Sequence, residues 1–229
     1  MKFGVVVFPG SNCDMDIIYA LKHILKQDVV KLWHKDTNLQ ECDFIILPGG
    51  FSFGDYLRSG AIAKFSPIMK EIIGFAKAGG YVMGICNGFQ ILTECGLLPG
   101  ALLHNDSHKF ICKNTFLKII TKNTIVTKTS NKNVIKIPVA HAEGRYYADN
   151  KTINSLISNN QIMFKYCTAD GEVNDETNPN GSLLNIAGIC NKERNVFGMM
   201  PHPERAADVE LANQDGMILF ENIINYAII

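Results

Sequence analysis

The apolar run Tyr81 to Ile85 leads without a break into Gly84-Ile85-Cys86-Asn87-Gly88, and a helical pattern, Phe89 to Cys95, follows at once. That order predicts a buried strand, a sharp turn with cysteine at its tip, and a helix, the context of a nucleophile elbow. Side chains at the flanking positions would collide with the neighbouring strand or helix, so glycine is needed there, and the tip itself carries backbone strain. The unpaired N–H groups and positive dipole end of the following helix favour a thiolate at Cys86. A free cysteine more often behaves as a small buried hydrophobe. That reading is kept for Cys13, Cys42, Cys95, Cys112, Cys167 and Cys190, whereas the frame around Cys86 makes it the candidate nucleophile.

The chain before the elbow alternates apolar runs with helical patterns: Phe3 to Phe8, a helix from about Asp14 to Lys26, then Val29 to Trp33 and Phe44 to Leu47. Ile17, Ala20, Leu21, Ile24 and Leu25 share one helical face, with Asp14 as the expected cap. A second helix is expected from Pro67 to Ala78, stopped by Gly79-Gly80. Strand, helix, strand order implies an α/β fold with a mostly parallel open sheet flanked by helices. From Phe110 to about Val139 the pattern becomes β-branched and alternating, with polar breaks at Thr121–Thr124 and Thr129–Asn133, which predicts an added antiparallel segment. Further strands are expected at Ile162–Cys167, Leu184–Ile189 and Val196–Met199, and a closing amphipathic helix from Asp215 to Tyr226. No repeat or linker interrupts the 229 residues, so a single domain, 1–229, is expected.

Composition narrows the partners. Lys plus Arg and Asp plus Glu number 22 each, a net charge of +0, so no overall field draws the chain to nucleic acid or an anionic membrane. No apolar run approaches the roughly 20 residues that span a bilayer, and Phe3 to Phe8 is too short for a secretory signal. Seven cysteines without a CxxC pair suggest neither a zinc ribbon nor a disulfide framework. A reducing, cytoplasmic setting is expected.

Pro201-His202-Pro203-Glu204-Arg205 follows the apolar run Val196 to Met200, which places His202 in the loop at the carboxyl end of a strand, where open α/β sheets carry their sites. The two prolines restrict the backbone around His202, and Glu204 can reach an imidazole nitrogen if the loop turns back. With Cys86 these supply nucleophile, base and orienter. His23, His34, His104 and His108 are read as structural or surface residues. A metal site is not expected, because no second histidine lies at ligand spacing.

These stretches, with Phe8-Pro9-Gly10-Ser11-Asn12-Cys13-Asp14, Leu47-Pro48-Gly49-Gly50-Phe51-Ser52-Phe53-Gly54-Asp55-Tyr56-Leu57-Arg58, Ala140-His141-Ala142-Glu143-Gly144-Arg145-Tyr146-Tyr147 and Asn178-Pro179-Asn180-Gly181-Ser182, resemble the triad-type (class I) glutamine amidotransferases over almost the whole chain. Within them the chain is similar to the glutaminase subunits of phosphoribosylformylglycinamidine synthase, of purine biosynthesis. The resemblance implies a flavodoxin-like sheet and hydrolysis of glutamine to glutamate and ammonia through a Cys86 thioester, with His202 as acid and base and Glu204 as its orienter. It implies an oxyanion hole from the backbone N–H groups of Gly50 and Asn87, and a substrate-binding role for Gln90.

The resemblance also implies a synthetase partner, with room for a small accessory subunit, that receives the ammonia and converts formylglycinamide ribonucleotide to formylglycinamidine ribonucleotide. ATP and magnesium belong to that partner, and no cofactor is expected in this chain. Consistently, Gly49 to Gly54 lacks the Gly-Lys-Ser/Thr ending of a phosphate loop and is followed by Asp55. A cysteine hydrolase or oxidant sensor on a related scaffold is the first rival reading, against which the His-Pro-Glu loop argues. A non-catalytic assembly subunit is the second.

Overall fold

The structure, a computed structural model, describes residues 1–128 and 132–226. Its strands are β1 (Lys2–Val7), β2 (Asp28–Trp33), β3 (Phe44–Leu47), β4 (Tyr81–Ile85), β5 (Ala101–Leu103), β6 (Ile111–Ile119), β7 (Val134–His141), β8 (Arg145–Tyr147), β9 (Ile162–Cys167), β10 (Ile186–Cys190) and β11 (Val196–Met199). Nine of them form one sheet in the order β2-β1-β3-β4-β11-β10-β9-β6-β7, and β5 pairs with β8 apart from it. The pairings from β2 through β11 are parallel, and those from β11 through β7 are antiparallel. The fold is therefore the expected α/β sheet, and the added antiparallel segment is continuous with it. Every residue of β3 and β11 is buried, as a strand covered on both faces must be.

The helices are α1 (Asp14–Ile18), α2 (Pro67–Lys77), α3 (Asn87–Glu94), α4 (Asn150–Ser158) and α5 (Met217–Tyr226). The first differs from expectation. After Ile18 the helix widens into π turns over Tyr19–Ile24, closed by Leu25 N donating to Ala20 O at 3.0 Å. Each wider turn takes an extra residue, so Ile17, Ala20 and Leu21 are buried but Ile24 and Leu25 are only half-buried. Asp14 is not the cap: Cys13 occupies that position, with no side-chain cap bond. Helix α2 ends as expected, with Gly79 in the left-handed region at φ +95° and Gly80 N bonded to Phe75 O at 2.9 Å.

Two other boundaries move. The expected strand at Leu184 begins at Ile186, because Leu184 and Asn185 are left-handed (φ 53° and 58°) and Asn185 Nδ2 ties the turn to Tyr166 O and Asn174 O. Between the two polar breaks of the antiparallel segment the chain makes a turn, closed by Thr127 N on Thr124 O at 3.1 Å, with Ile125 and Val126 buried. Residues 129–131 of the second break lie outside the described residues. Cys112 is exposed rather than buried, since it lies on the outward side of β6. Among the described residues no helix is long and apolar enough to cross a membrane.

Candidate active site

Strand order brings the elbow and the histidine loop together. β4 and β11 are parallel neighbours, Ile85 opposite Met199, and Cys86 N donates to Met199 O at 2.8 Å. Both chains leave the sheet at the same carboxyl edge, Cys86 from β4 and His202 from β11, as open α/β sheets arrange their sites. On the other side of β4, β3 delivers Gly49 and Gly50, and β1 beyond it delivers Cys13.

Cys86 stands at the elbow tip with φ 51° and ψ −108°, immediately before α3. The flanking glycines are there for steric reasons. A methyl group on Gly84 would lie 2.5 Å from the Gly88 carbonyl carbon, and one on Gly88 would overlap the carbonyl oxygen of Leu47. At Gly49 an added methyl would stand 2.7 Å from His202 Cε1, 3.3 Å from Cys86 Cβ and 3.3 Å from Cys13 Sγ, so these three side chains converge on one glycine.

His202 Nδ1 lies 2.6 Å from Glu204 Oε1, and the side chains are 1% and 0% exposed. The loop turns back as the proline bracket requires: His202 N bonds to Pro138 O of β7 at 2.8 Å, and residues 203–206 form a short 3-10 helix. Burial alone would push the imidazole down. The negative charges of Glu204 and of a Cys86 thiolate outweigh it and hold His202 above its ordinary value. His202 Nε2 is buried with no partner within bonding distance.

Neither the Gly50 nor the Asn87 N–H has an acceptor among the described residues. Gly50, at φ +117°, lines a small cleft of about 70 Å³ with Cys86, Gln90, Asp55, His141 and Glu143. A larger groove bordered by Asp149, Lys151 and Glu193 holds none of the triad. Gln90 lies on the cleft wall with both ends of its amide engaged: Nε2 donates to Glu143 O at 2.6 Å, and Oε1 accepts from Asn87 Nδ2 at 2.9 Å.

The profile of the CobB/CobQ-like glutamine amidotransferase domain matches residues 1–227. The chain belongs to that glutamine amidotransferase family. It is 56% identical to the phosphoribosylformylglycinamidine synthase subunit PurQ of Moorella thermoacetica over 227 residues, 99% of this chain and 96% of the relative. With the subunit of the same name from Aquifex aeolicus it shares 51% identity, over 98% of this chain and all of the other. The solved structure of PurLQS from Thermotoga maritima contains a chain similar at TM-score 0.86 and 43% identity, covering 99% of this chain and 98% of that one.

Within this amidotransferase fold the structure adds side chains that sequence reading passed over. Cys13 was read as a plain core residue, yet its sulfur lies 3.0 Å from an Arg205 nitrogen. Burial pushes its thiol up to about 12, against the pull of Arg205. Ligand atoms of Cys13, His202 and Glu204 all fall within 4.8 Å of one another. A metal ion there would meet the Arg205 guanidinium and compete with the His202–Glu204 bond, so the cluster suits the triad better than a cation. Asp55, His141 and Glu143 complete the cleft; the resemblance puts His141 and Glu143 in a site-proximal or interface segment and gives neither a chemical step.

Proposed function

We propose that this chain is the glutaminase subunit of a phosphoribosylformylglycinamidine synthase, acting as a single amidotransferase domain over residues 1–229 in the cytoplasm. The observation that carries the mechanism is the parallel pairing of β4 with β11, which sets Cys86 beside a buried histidine held at 2.6 Å by Glu204. The names and lengths of the relatives support the choice of glutamine and of the ribonucleotide pathway.

In this mechanism the Cys86 thiolate attacks the side-chain amide carbon of glutamine. The resulting oxyanion takes hydrogen bonds from the free N–H groups of Gly50 and Asn87. The His202 imidazolium gives its Nε2 proton to the amide nitrogen, the C–N bond breaks, and ammonia leaves a γ-glutamyl thioester. His202, now neutral, takes a proton from water as the water oxygen attacks the thioester, and glutamate departs. Glu204 keeps a proton on Nδ1 throughout. Gln90 acts by fixing the Glu143 segment and Asn87 around the substrate. The ammonia passes to a synthetase subunit, which carries the ATP and magnesium chemistry, with a small accessory subunit in the assembly. This chain supplies no cofactor of its own.

The test is reconstitution with the synthetase. Glutamine-dependent amidation of formylglycinamide ribonucleotide is expected, abolished by Cys86→Ala, with a glutamine-like electrophile labelling Cys86 alone. Glutamate release that survives Cys86→Ala sinks the reading. The free subunit is expected to be a weak glutaminase, because a docked partner commonly completes such a site.

A further inference from the structure

Two carboxylates and one buried imidazole face the cleft beside Cys86 without a cation to balance them. Asp55 and Glu143 both line it, and no described Lys or Arg pairs with either. Asp55 accepts from Asn87 Nδ2 at 3.2 Å, the side chain of the proposed oxyanion residue. Glu143 is tethered by its carbonyl to Gln90, and its carboxylate lies 3.4 Å from Ser59 N and from the exposed His104 ring. The loop carrying Asp55 holds non-glycine residues Phe53, Asp55 and Leu57 in the left-handed region, φ 55°, 53° and 74°. Strain of this kind collects where a loop must aim a side chain.

His141 is the independent observation. Asn105 Nδ2 donates to Lys109 O and His141 O, both at 2.9 Å, which makes Oδ1 an acceptor. That oxygen takes Gly144 N–H at 3.1 Å and His141 Nδ1 at 3.0 Å, so the His141 proton sits on Nδ1. Burial, then the nearby His202, lower His141 to about 4, and the ring is neutral at neutral pH. Its Nε2 therefore carries a lone pair. The residue is 3% exposed, and Nε2 has no donor among the described residues. A buried acceptor left in that state is destabilising, a cost that a ligand bringing an N–H would relieve.

We infer that Asp55, Glu143 and His141 Nε2 form the subsite that takes the α-ammonium group of glutamine, an assignment that rests on the glutaminase reading above. Glutamine carries one cation, and these three groups offer it acceptors only. The group pairs with the carboxylates, gives an N–H to His141, and turns the α-carboxylate away from the acidic wall.

The experiment compares glutamine with 4-carbamoylbutanoate, which keeps the amide and carboxylate but lacks the amino group, in the complex with the synthetase. Wild type is expected to prefer glutamine in kcat/KM by tenfold or more, since charge-assisted hydrogen bonds are typically worth about a factor of 10 to 100. In Asp55→Asn and in Glu143→Gln that preference falls about tenfold, through a higher KM for glutamine with kcat little changed. Because the preference is a ratio within one preparation, partial misfolding cancels from it. An unchanged preference in both variants, or a wild type that hydrolyses the two amides equally, overturns the subsite. Hydrolysis of neither amide by the wild-type complex removes the glutaminase reading itself, and the subsite with it.

Discussion

His202 Nδ1 and Glu204 Oε1 are 2.6 Å apart in a pocket that water does not reach, and the same ring interacts with Cys86 while its Nε2 is left unpartnered. Only Pro203 separates the pair in sequence, and the loop has to fold back on itself to join them.

Glu204→Gln tests what that bond does. A glutamine amide can present an N–H to Nδ1, which moves the imidazole proton to Nε2 and removes the base that Cys86 and the hydrolytic water need. Glutamine-dependent turnover of the complex is expected to fall by about 10² to 10⁴. Steady-state rates check this, and a loss of less than about tenfold would mean that Glu204 does not set the tautomer.

Gly88 and Gly74 are expected to respond oppositely to alanine. At Gly88 the new methyl overlaps Leu47 O, and backbone cannot step aside, so Gly88→Ala should cost about 1–3 kcal/mol or more. Gly74 lies inside α2 with open space around it. Gly74→Ala should therefore stabilise by about 0.5–1 kcal/mol. Denaturant titration of the two variants decides; equal effects would contradict the packing described at the elbow.

His141 makes stability depend on acid. Its pKa is lowered on folding, from 6.5 to about 4, by burial first and by His202 second. Between those values the unfolded chain binds a proton that the folded chain refuses. The contribution is intact above about pH 6.5 and is lost as pH falls toward 4, amounting to about 3 kcal/mol. Asp55 acts in the opposite sense, because burial raises it to about 6. The measurement is thus the unfolding free-energy difference between wild type and His141→Phe at several pH values, which should shrink or reverse toward pH 4. A difference independent of pH would place His141 in contact with water.

Asp55 should also appear in the glutamine profile. Burial raises its carboxyl to about 6; Ser59 and Asn87 pull it down while Glu143 pushes it up. Below that pH the group is neutral and loses its hold on an ammonium ion. Glutamine kcat/KM is expected to decline as pH is lowered through about 6, and the same limb should be weaker in Asp55→Asn and with 4-carbamoylbutanoate as substrate. Superimposable profiles would separate Asp55 from substrate recognition.

Much of this molecule could be read from neighbouring residues. The runs at Phe44–Leu47, Tyr81–Ile85 and Val196–Met199 are strands with those bounds, and the glycines beside Cys86 sit where a turn needs them. Strand, turn and helix are written locally, in side-chain periodicity and in the steric demands of a few residues, so a linear reading recovers them. The π turns after Ile18 and the left-handed turn at Leu184 escaped it, because they depend on hydrogen bonds to groups that periodicity does not register.

The site itself was legible only where its residues form a motif. Cys86, His202 and Glu204 stand in short recognisable frames, but nothing local says that β11 lies against β4, and it is that pairing which makes them one constellation. Cys13, Asp55 and His141 carry no frame of their own. Asp55 and His141 arrive at the cleft, and Cys13 beside Gly49 and Arg205, because β1, β3 and β7 end at this edge, and strand order is decided by burying nonlocal faces together, a condition on the whole chain that no single stretch contains. The sequence by itself thus determined most of the elements, the candidate nucleophile and the histidine loop. Only the tertiary structure decided which polar groups face the cleft and which are left without a partner.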